Sequence, residues 1–312
     1  MTLNPLLACL LTLPFICLGQ AGKSKNYPPV LPGAEVHTYK TLGEVKLNLY
    51  VYAPKGAKAG DRNPVAVFFF GGGWRSGTPA QFREHCRYLA SRGMVGITAD
   101  YRVKSRHNTP AVKCVEDAKS AIRWIRQHAE ELGIDPGKLV SGGGSAGGHL
   151  AACTGLISGF DAVGEDTTIS SQPNAMLLFN PALVLAKTDA ELPAKWTERY
   201  ASLEERMGVP PKQLSPFHKI AKGAPPCMIF HGLADTTVPF QSAKIFEQAM
   251  KKSGNDCTLV GYKGMPHGFF NYGRGDNSAF IDTLVQSDAF LVKQGYLAGK
   301  QSVKAFLNGK RE

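Results

Sequence analysis

Runs of hydrophobic residues alternate with segments of helical periodicity along most of the chain. A continuous apolar run such as residues 65–70 indicates a strand that is buried on both faces of a sheet. Apolar residues three or four positions apart, as in residues 111–132, indicate an amphipathic helix. On these patterns we predict strands over residues 65–70, 94–99, 138–141, 175–179, 227–230 and 257–262, and helices over residues 80–92, 111–132, 146–157, 240–252 and 279–293.

The alternation of strands and helices predicts an α/β fold with a mostly parallel central sheet and helices on both faces. Residues 36–54 alternate between polar and apolar positions and are interrupted at residues 42–44, which predicts an antiparallel hairpin at one edge. In open sheets of this kind, sites lie at the carboxyl ends of the strands. Residues 182–225 are long for a connection between two strands, so we predict a small cap at about residues 182–212.

The composition allows a single domain and argues against nucleic-acid binding. The chain has 312 residues, of which 43% are hydrophobic, and we assign residues 22–312 to one large α/β domain. The net charge is +11, but the 36 basic residues are scattered and form no run of five or six. Nucleic-acid partners usually require a basic cluster or stripe, and none is visible.

Residues 1–21 have the pattern of a secretory signal peptide. They contain an apolar stretch over residues 6–18 and small residues before a predicted cleavage at Gly22, but no Lys or Arg. A membrane anchor is the alternative interpretation. Pro14 interrupts the apolar stretch, which is shorter than the ~20 residues that a membrane span needs. We therefore expect an exported protein, periplasmic or secreted, with no stable membrane insertion after cleavage.

Five cysteines follow the signal segment, and their spacing matches neither a metal site nor a dense disulfide framework. We expect most of them to be small buried hydrophobic residues, and one disulfide between two of them is left open. The residues concerned are Cys86, Cys114, Cys153, Cys227 and Cys257.

The segment VSGGGSAGGHLAA, residues 140–152, places Ser145 in a G-x-S-x-G pattern between a predicted strand and a predicted helix. In a strand-to-helix turn this pattern strains the serine backbone and exposes the hydroxyl at the start of the helix. A glycine-rich helix start without chemical consequence is one alternative, and a phosphate loop is another. No Gly-Lys-Ser/Thr follows, which argues against the phosphate loop. We predict that Ser145 is a nucleophile.

A serine nucleophile needs a base, and the base in turn needs a carboxylate that orients it. His267 follows a predicted strand and lies between Pro and Gly, so we predict that it is the base. His149 lies on the helix after the serine, and His231 has the setting of a buried structural residue. Asp235 follows one strand and precedes a helix, and we predict that it orients the base, although a helix N-cap is an alternative role. Asp256 opens a strand and is the weaker candidate.

Acyl transfer also requires hydrogen-bond donors for the oxyanion. Three glycines follow the first buried strand, and glycine lets backbone N–H groups approach a ligand closely. We assign the oxyanion hole to the N–H groups of Gly72, Gly73 and Ala146. Trp74 is predicted to line the substrate pocket, with a purely structural role as the alternative.

These motifs resemble the α/β-hydrolases, and within them the branch of hormone-sensitive-lipase-like and feruloyl-esterase-like carboxylesterases. The resemblance extends from about residue 45 to residue 295. It is carried by Gly71–Trp74, Tyr101-Arg102, Pro110, Glu116–Ala118, Ile134–Pro136, Gly143–His149, Asn180-Pro181, Ser215-Pro216, Ala224–Pro226, His231-Gly232, Asp235 and His267-Gly268. One residue departs from the pattern, because Phe70 stands where the family usually has histidine before the glycines. That departure bears on the geometry of the oxyanion loop and on the substrate range.

The resemblance implies a serine carboxylic-ester hydrolase that works through an acyl-enzyme, without a cofactor or metal. It suggests short-chain acyl esters or acetyl and feruloyl esters on polysaccharides as substrates. Two alternatives remain at this point. The turn at residues 235–239 is similar to that of prolyl-oligopeptidase-like peptidases, and a non-catalytic binding protein on a hydrolase fold would also retain most of the motifs.

Overall fold

The structure is a computed structural model that describes residues 27–198 and 200–309. Residues 1–21 lie outside the described part, so the signal peptide stays a prediction. The strands are β1 Glu35–Leu42, β2 Val45–Tyr52, β3 Asn63–Phe69, β4 Val95–Ala99, β5 Ile134–Gly144, β6 Ala175–Phe179, β7 Cys227–Gly232 and β8 Cys257–Tyr262. The α-helices are α1 Arg83–Ser91, α2 Lys104–His107, α3 Ala111–Gln127, α4 Ala146–Leu156, α5 Ala194–Thr197, α6 Tyr200–Met207, α7 Phe240–Lys252, α8 Ser278–Lys293 and α9 Val303–Asn308.

The strands of the described chain form one sheet in the order β1-β2-β4-β3-β5-β6-β7-β8. β2 pairs antiparallel with β1 and with β4, whereas the remaining neighbours are parallel. The predicted fold class, with an antiparallel hairpin at one edge, is therefore confirmed. Ser145 follows β5, the triple glycine follows β3, and the loops of Asp235 and His267 follow β7 and β8. All four lie at the carboxyl edge of the sheet.

Hydrophobic clusters cover both faces of the sheet, and β3 shows why its sequence is continuously apolar. Val65, Val67 and Phe69 belong to one cluster, whereas Ala66 and Phe68 belong to the other. All five residues are at most 1% exposed. Because successive side chains of a strand point to opposite faces, a strand between two helical layers needs apolar residues at every position.

Several element boundaries differ from the prediction. β5 begins at Ile134, before the predicted start, and its register with β3 is irregular there. It runs to Gly144 because its last glycines are extended between β3 and β6, although glycine usually indicates a turn. α3 ends at Gln127, since the chain turns through residues 128–133 into β5. The helix predicted over residues 80–92 begins as a 3₁₀ turn at Pro79–Phe82 before α1. The pattern did not predict the short helices α2, α5, α6 and α9.

All five cysteines of the domain are buried free thiols, as expected for small hydrophobic residues. Cys227 and Cys257 are register partners on β7 and β8, and their sulfurs are 3.1 Å apart. If any two of these cysteines form a disulfide, the distance between their sulfurs indicates Cys227 and Cys257. Among the helices of the described chain, none combines the length and the apolar character that a membrane span requires.

His85 on α1 is a buried imidazole that should make the fold sensitive to acid. It is 1% exposed, packs against Phe82, Phe179 and Phe280, and neither ring nitrogen has a hydrogen-bond partner. Burial lowers its pKa to about 3, so the ring stays neutral in the folded state. The unfolded chain binds the proton below pH ~6.5, and each further pH unit then favours unfolding by about 1.4 kcal/mol until the folded pKa is reached.

We expect His85→Leu to reduce this acid sensitivity, because leucine has a similar volume and no proton to bind. The unfolding free energy of the variant minus that of wild type should be about 2 kcal/mol larger at pH 5 than at pH 8. Urea unfolding of both proteins at the two pH values measures the difference. An identical wild-type-to-variant difference at pH 5 and pH 8 would contradict the role of His85.

Candidate active site

Ser145 occupies a strained turn between β5 and α4. Its backbone has φ 55° and ψ −116°, a conformation that non-glycine residues rarely adopt. The Ser145 N–H donates to the Phe179 carbonyl at 2.9 Å, and the Ser145 carbonyl accepts from the His149 N–H at 2.9 Å. These bonds tie the turn to β6 on one side and to α4 on the other. The geometry is that of a nucleophile elbow.

The small residues on both sides of Ser145 are required by close backbone packing. A Cβ atom on Gly147 would lie 1.9 Å from the Phe69 carbonyl oxygen. A Cβ atom on Gly143 would lie 2.5 Å from both the Gly147 backbone and the same Phe69 oxygen. Any side chain at either position would push α4 away from the end of β3. The G-x-S-x-G pattern therefore reflects the contact that holds the elbow.

His267 and Asp235 form a hydrogen-bonded pair at the carboxyl edge. The His267 Nδ1 atom is 2.7 Å from the Asp235 Oδ2 atom. The Asp235 side chain is fully buried, whereas that of His267 is 23% exposed and lines a cavity together with Ser145. Asp256, the weaker sequence candidate, is about half exposed and pairs with Lys293 instead. Two of the three predicted triad residues are thus hydrogen-bonded to each other, and Ser145 and His267 line the same cavity.

The surroundings of Asp235 keep its carboxyl group charged. Its Oδ1 atom accepts from the Thr237 and Val238 N–H groups at 2.8 and 2.9 Å, so it does not act as a simple helix cap. Burial raises the pKa of Asp235, but the hydrogen bonds from His231, His267 and Val238 outweigh it and hold that pKa well below its usual range. The result is a fixed negative charge beside His267.

His231 has the buried structural role that its sequence context predicted. It is fully buried and lies on β7, with its Nε2 atom 2.9 Å from the Val238 carbonyl oxygen. The same nitrogen is 3.4 Å from the Asp235 Oδ2 atom. His231 therefore supports the turn that carries the carboxylate and does not face the cavity of Ser145.

The loop after β3 has the conformation expected of an oxyanion loop. Gly72 and Gly73 have φ angles of 122° and 63°, and a Cβ atom on Gly72 would lie 2.2 Å from the Ser76 carbonyl oxygen. The N–H of Gly71 is occupied, because it donates to the Gln81 Oε1 atom at 2.6 Å. Gly72, Gly73 and Ala146 all line cavities that also contain Ser145. Their role as oxyanion donors stays a prediction that this placement supports.

Phe70 supports the same loop by packing. Its ring stacks on Tyr101 with a centroid distance of 4.1 Å, and the Tyr101 hydroxyl donates to the Phe70 carbonyl at 2.6 Å. Phe70 is fully buried, and a Cβ atom on Gly77 would lie 2.5 Å from its ring. An aromatic ring thus fills the position where the resemblance expects a hydrogen-bonding histidine.

Trp74 lines a cavity beside Ser145 and is held there by His149. The Trp74 Nε1–H donates to the His149 Nδ1 atom at 3.1 Å, and the His149 Nε2–H donates to the Leu214 carbonyl at 2.7 Å. Burial lowers the pKa of His149 to about 4, so it remains neutral. His149 therefore does not compete with His267 as the base. Through these bonds His149 connects α4, the oxyanion loop and the segment just after the cap.

Two cavities of similar size meet at Ser145, and apolar atoms form the larger part of the wall in both, but the side chains that line them differ. The first, of about 320 Å³, which we call the apolar cavity, has bulky apolar residues such as Trp74, Leu185 and Leu203, together with the polar residues Ser202, Arg206 and Thr237. The second, of about 360 Å³, contains His267 and polar side chains, namely Gln81, Asn180, Asn271 and Arg274. Residues of the predicted cap, on α5 and α6, close the first cavity.

The amide side chains around the second cavity were not predicted from the sequence. Asn180 is fully buried, and its Oδ1 atom accepts from the Gly268 N–H at 2.9 Å, which holds the loop of His267. Gln81 and Asn271 hydrogen-bond to each other across 190 residues of chain. Asn180 belongs to the Asn180-Pro181 motif but had no predicted role, whereas Gln81 and Asn271 belong to none of the motifs. Within the described residues, no group of three or more His, Cys, Asp or Glu could hold a metal ion.

The fold and the site together define an α/β-hydrolase with a serine nucleophile, which is the machinery of a serine esterase. The chain belongs to the BD-FAE family, whose model matches residues 49–250. It is 57% identical to the thermophilic esterase Est2 of Thermogutta terrifontis, with a TM-score of 0.83, over 88% of this chain and 98% of that one. Structures of that esterase with bound propionate and butyrate are similar to this chain at 58% and 57% identity, each with a TM-score of 0.82.

Curated relatives include the esterase LipC of Mycobacterium tuberculosis, 29% identical over 66% of this chain and 53% of LipC. A probable isoprenylcysteine alpha-carbonyl methylesterase of Arabidopsis thaliana is 28% identical over 70% of this chain and 48% of that protein. The chain thus spans about half the length of these curated relatives.

Proposed function

We propose that this esterase hydrolyses esters of short-chain acids. The observation that carries the proposal is the position of Ser145 between two small cavities, one with the bulky apolar residues Trp74, Leu185 and Leu203 and one with amide and guanidinium groups. At about 320 Å³, the apolar cavity lies at the lower end of the roughly 300–1,000 Å³ found for small-molecule sites. Propionate and butyrate bound to the T. terrifontis esterase have acyl chains of the same short class.

The geometry supports the usual two-step mechanism of a serine esterase. His267 takes the hydroxyl proton of Ser145 as the oxygen attacks the ester carbonyl, and Asp235 stabilises the imidazolium. The N–H groups of Gly72, Gly73 and Ala146 bind the oxyanion. When the tetrahedral intermediate collapses, the alcohol leaves with the proton from His267 and the acyl group stays on the serine. Water, deprotonated by the same histidine, then releases the acid.

The polar cavity would accommodate the alcohol part of the substrate. Its walls carry the guanidinium of Arg274 and the amides of Gln81 and Asn271, which hydrogen-bond to each other. Hydroxyl-rich alcohols such as sugars match such a surface. We therefore include acetyl and feruloyl esters of polysaccharides among the substrates, in line with the feruloyl-esterase-like resemblance. The polysaccharide would extend out of the cavity into solvent.

Hydrolysis of a matched ester series tests the proposal. With p-nitrophenyl acetate, butyrate, octanoate and laurate, kcat/KM should be highest for acetate or butyrate and fall for the longer chains. Release of acetate from acetylated xylo-oligosaccharides, compared with release of ferulate from methyl ferulate, identifies the natural acyl group. No turnover of any ester by the folded protein would contradict the proposal. Cleavage of a proline-linked peptide would instead favour the peptidase alternative.

Leu203 on α6 is expected to limit acyl length. It is 6% exposed and lines the apolar cavity near Ser145. Replacing leucine by alanine removes three carbon atoms and opens room for about two more methylene groups, each worth about 0.8 kcal/mol on burial. Leu203→Ala should therefore raise the ratio of hexanoate to butyrate kcat/KM about tenfold. Leu42→Ala, on the exposed edge strand β1, is the control, and an unchanged ratio in Leu203→Ala would contradict the assignment.

Export is a second proposal, which rests on residues 1–21 alone. The uncharged apolar segment and the small residues before Gly22 support cleavage by a signal peptidase. Mass spectrometry of the protein recovered from the native host's extracytoplasmic fraction should find an N-terminus at Gly22. An intact N-terminus in the membrane fraction would support the anchor instead.

A further inference from the structure

A chain of side-chain hydrogen bonds connects the oxyanion loop to the loop of the catalytic histidine. The Gly71 N–H donates to the Gln81 Oε1 atom at 2.6 Å, and the Gln81 Nε2–H donates to the Asn271 Oδ1 atom at 2.9 Å. The Asn271 Nδ2–H then donates to the Gly268 carbonyl at 2.7 Å. All four residues line the polar cavity beside Ser145.

The direction of this chain is fixed at both ends by the backbone. The amide of Gly71 can only donate, and the carbonyl of Gly268 can only accept. Each of the two side-chain amides must therefore accept with its oxygen and donate with its nitrogen. A carboxylate at either position would keep one bond and lose the other, and an apolar side chain of the same length would lose both.

The two ends of the chain are parts of the active site that the sheet does not hold together directly. Gly71 precedes Gly72 and Gly73 after β3, whereas Gly268 follows His267 after β8. β5, β6 and β7 lie between these strands, so no strand pairing sets the distance between the two loops. Gly268 is also held from the other side, because its N–H donates to Asn180. Gln81 and Asn271 provide a polar contact between the two loops, beside the stacked rings of Phe82 and Phe270.

We propose that Gln81 and Asn271 are a positioning pair. Their hydrogen bond sets the position of the oxyanion N–H groups relative to His267 across the polar cavity. The inference rests on the proposed esterase function. Oxyanion donors act only when they lie at hydrogen-bond distance from the developing charge, so small displacements of either loop reduce the rate. Both side chains are half-buried and open to the cavity, where water can replace their bonds after substitution. Their loss should consequently affect the rate far more than the fold.

A double-mutant cycle with Gln81→Met and Asn271→Leu tests the pair without adding charge. Each single variant should lower kcat for p-nitrophenyl butyrate about tenfold to thirtyfold, less than the roughly 10²–10³-fold loss of a whole oxyanion donor. KM should change less than about threefold. Because either substitution already interrupts the chain, the double variant should be about as slow as the slower single one. Losses that multiply in the double variant would overturn the proposal, as would single variants with the wild-type kcat.

A transition-state probe separates positioning from binding and from folding. A butyl trifluoromethyl ketone forms a tetrahedral adduct with the serine and places an oxyanion in the hole, whereas butyrate is only a product. The affinity for the ketone should fall in parallel with kcat/KM in both single variants, and the affinity for butyrate should not. Parallel losses of ketone and butyrate affinity would assign the pair to substrate binding or to structure.

Gln81→Glu provides a variant that retains the bond to Gly71 and so protects the fold. It loses the donor to Asn271, and its kcat should fall at least as far as that of Gln81→Met. Gln301→Glu is the matched control, because the Gln301 Oε1 atom accepts from the Val303 N–H, a bond that a glutamate can equally make, near the C-terminal helix α9. The control should retain the wild-type kcat. If wild type hydrolyses no ester, the proposed function fails, whereas active wild type with unaffected Gln81 variants refutes the pair alone.

Discussion

Replacing Ser145 by alanine should abolish ester hydrolysis while leaving the fold intact. The variant lacks the only hydroxyl that the elbow presents to both cavities, and we expect kcat for p-nitrophenyl butyrate to fall at least about 10⁴-fold. Alanine has the same difficulty as serine in adopting φ 55°, so the backbone strain is unchanged. The packing of Gly143 and Gly147 is also unaffected. Steady-state and burst kinetics, together with thermal unfolding, measure the two effects.

Covalent labelling makes the same test independent of turnover. The T. terrifontis esterase has been solved in a form phosphorylated by paraoxon. Wild type should gain the mass of one diethyl phosphoryl group, on the peptide that contains Ser145, and Ser145→Ala should gain none. Ser170→Ala, at an exposed serine far from the elbow, should react like wild type. A retained burst phase or labelling in Ser145→Ala would contradict the assignment.

Much of this fold could be predicted because the buried sheet imposes a simple pattern. The predicted spans of β6, β8 and α7 agree with the structure residue for residue, and each combines one periodicity with turn residues at its ends. The prediction for β5 stopped at Ser141 because the last residues of the strand are glycines. There, close packing against β3 and α4 selects glycine, whereas local propensity would predict a turn. Tertiary contacts override local preference at this position.

Residues of the candidate site could be predicted where the reaction requires a particular side chain. Residues that only hold the loops in place could not be predicted. Ser145, Asp235 and His267 belong to a reaction that few other side chains can perform. Gln81 and Asn271 carry no comparable signature, because amides are common and their partners lie 190 residues apart. Only the sheet order brings the two loops to opposite sides of one cavity.

Asp235→Asn should reduce kcat/KM by about 10⁴-fold, because the amide would stabilise the wrong tautomer of His267. The Oδ1 atom of Asp235 accepts from the N–H groups of Thr237 and Val238, so the carbonyl oxygen of an asparagine must occupy that position. Its NH₂ group would then face the His267 Nδ1 atom, where the carboxylate oxygen now lies at 2.7 Å. A donor at this point leaves Nδ1 unprotonated and puts the proton on Nε2. The imidazole can then no longer take the proton of Ser145.

The loss of the correct His267 tautomer distinguishes Asp235 from a carboxylate that merely stabilises a turn. Because asparagine keeps both backbone bonds to Oδ1, the variant should retain most of its unfolding free energy. If Asp235 were only a helix cap, its replacement by asparagine would change neither the stability nor the rate. Asp256→Asn is the matched control, since this exposed carboxylate pairs with Lys293 and should tolerate the change without loss of rate. Kinetics of both variants beside wild type, with urea unfolding, decide between the roles. A rate for Asp235→Asn within about tenfold of wild type would mean that another group orients His267.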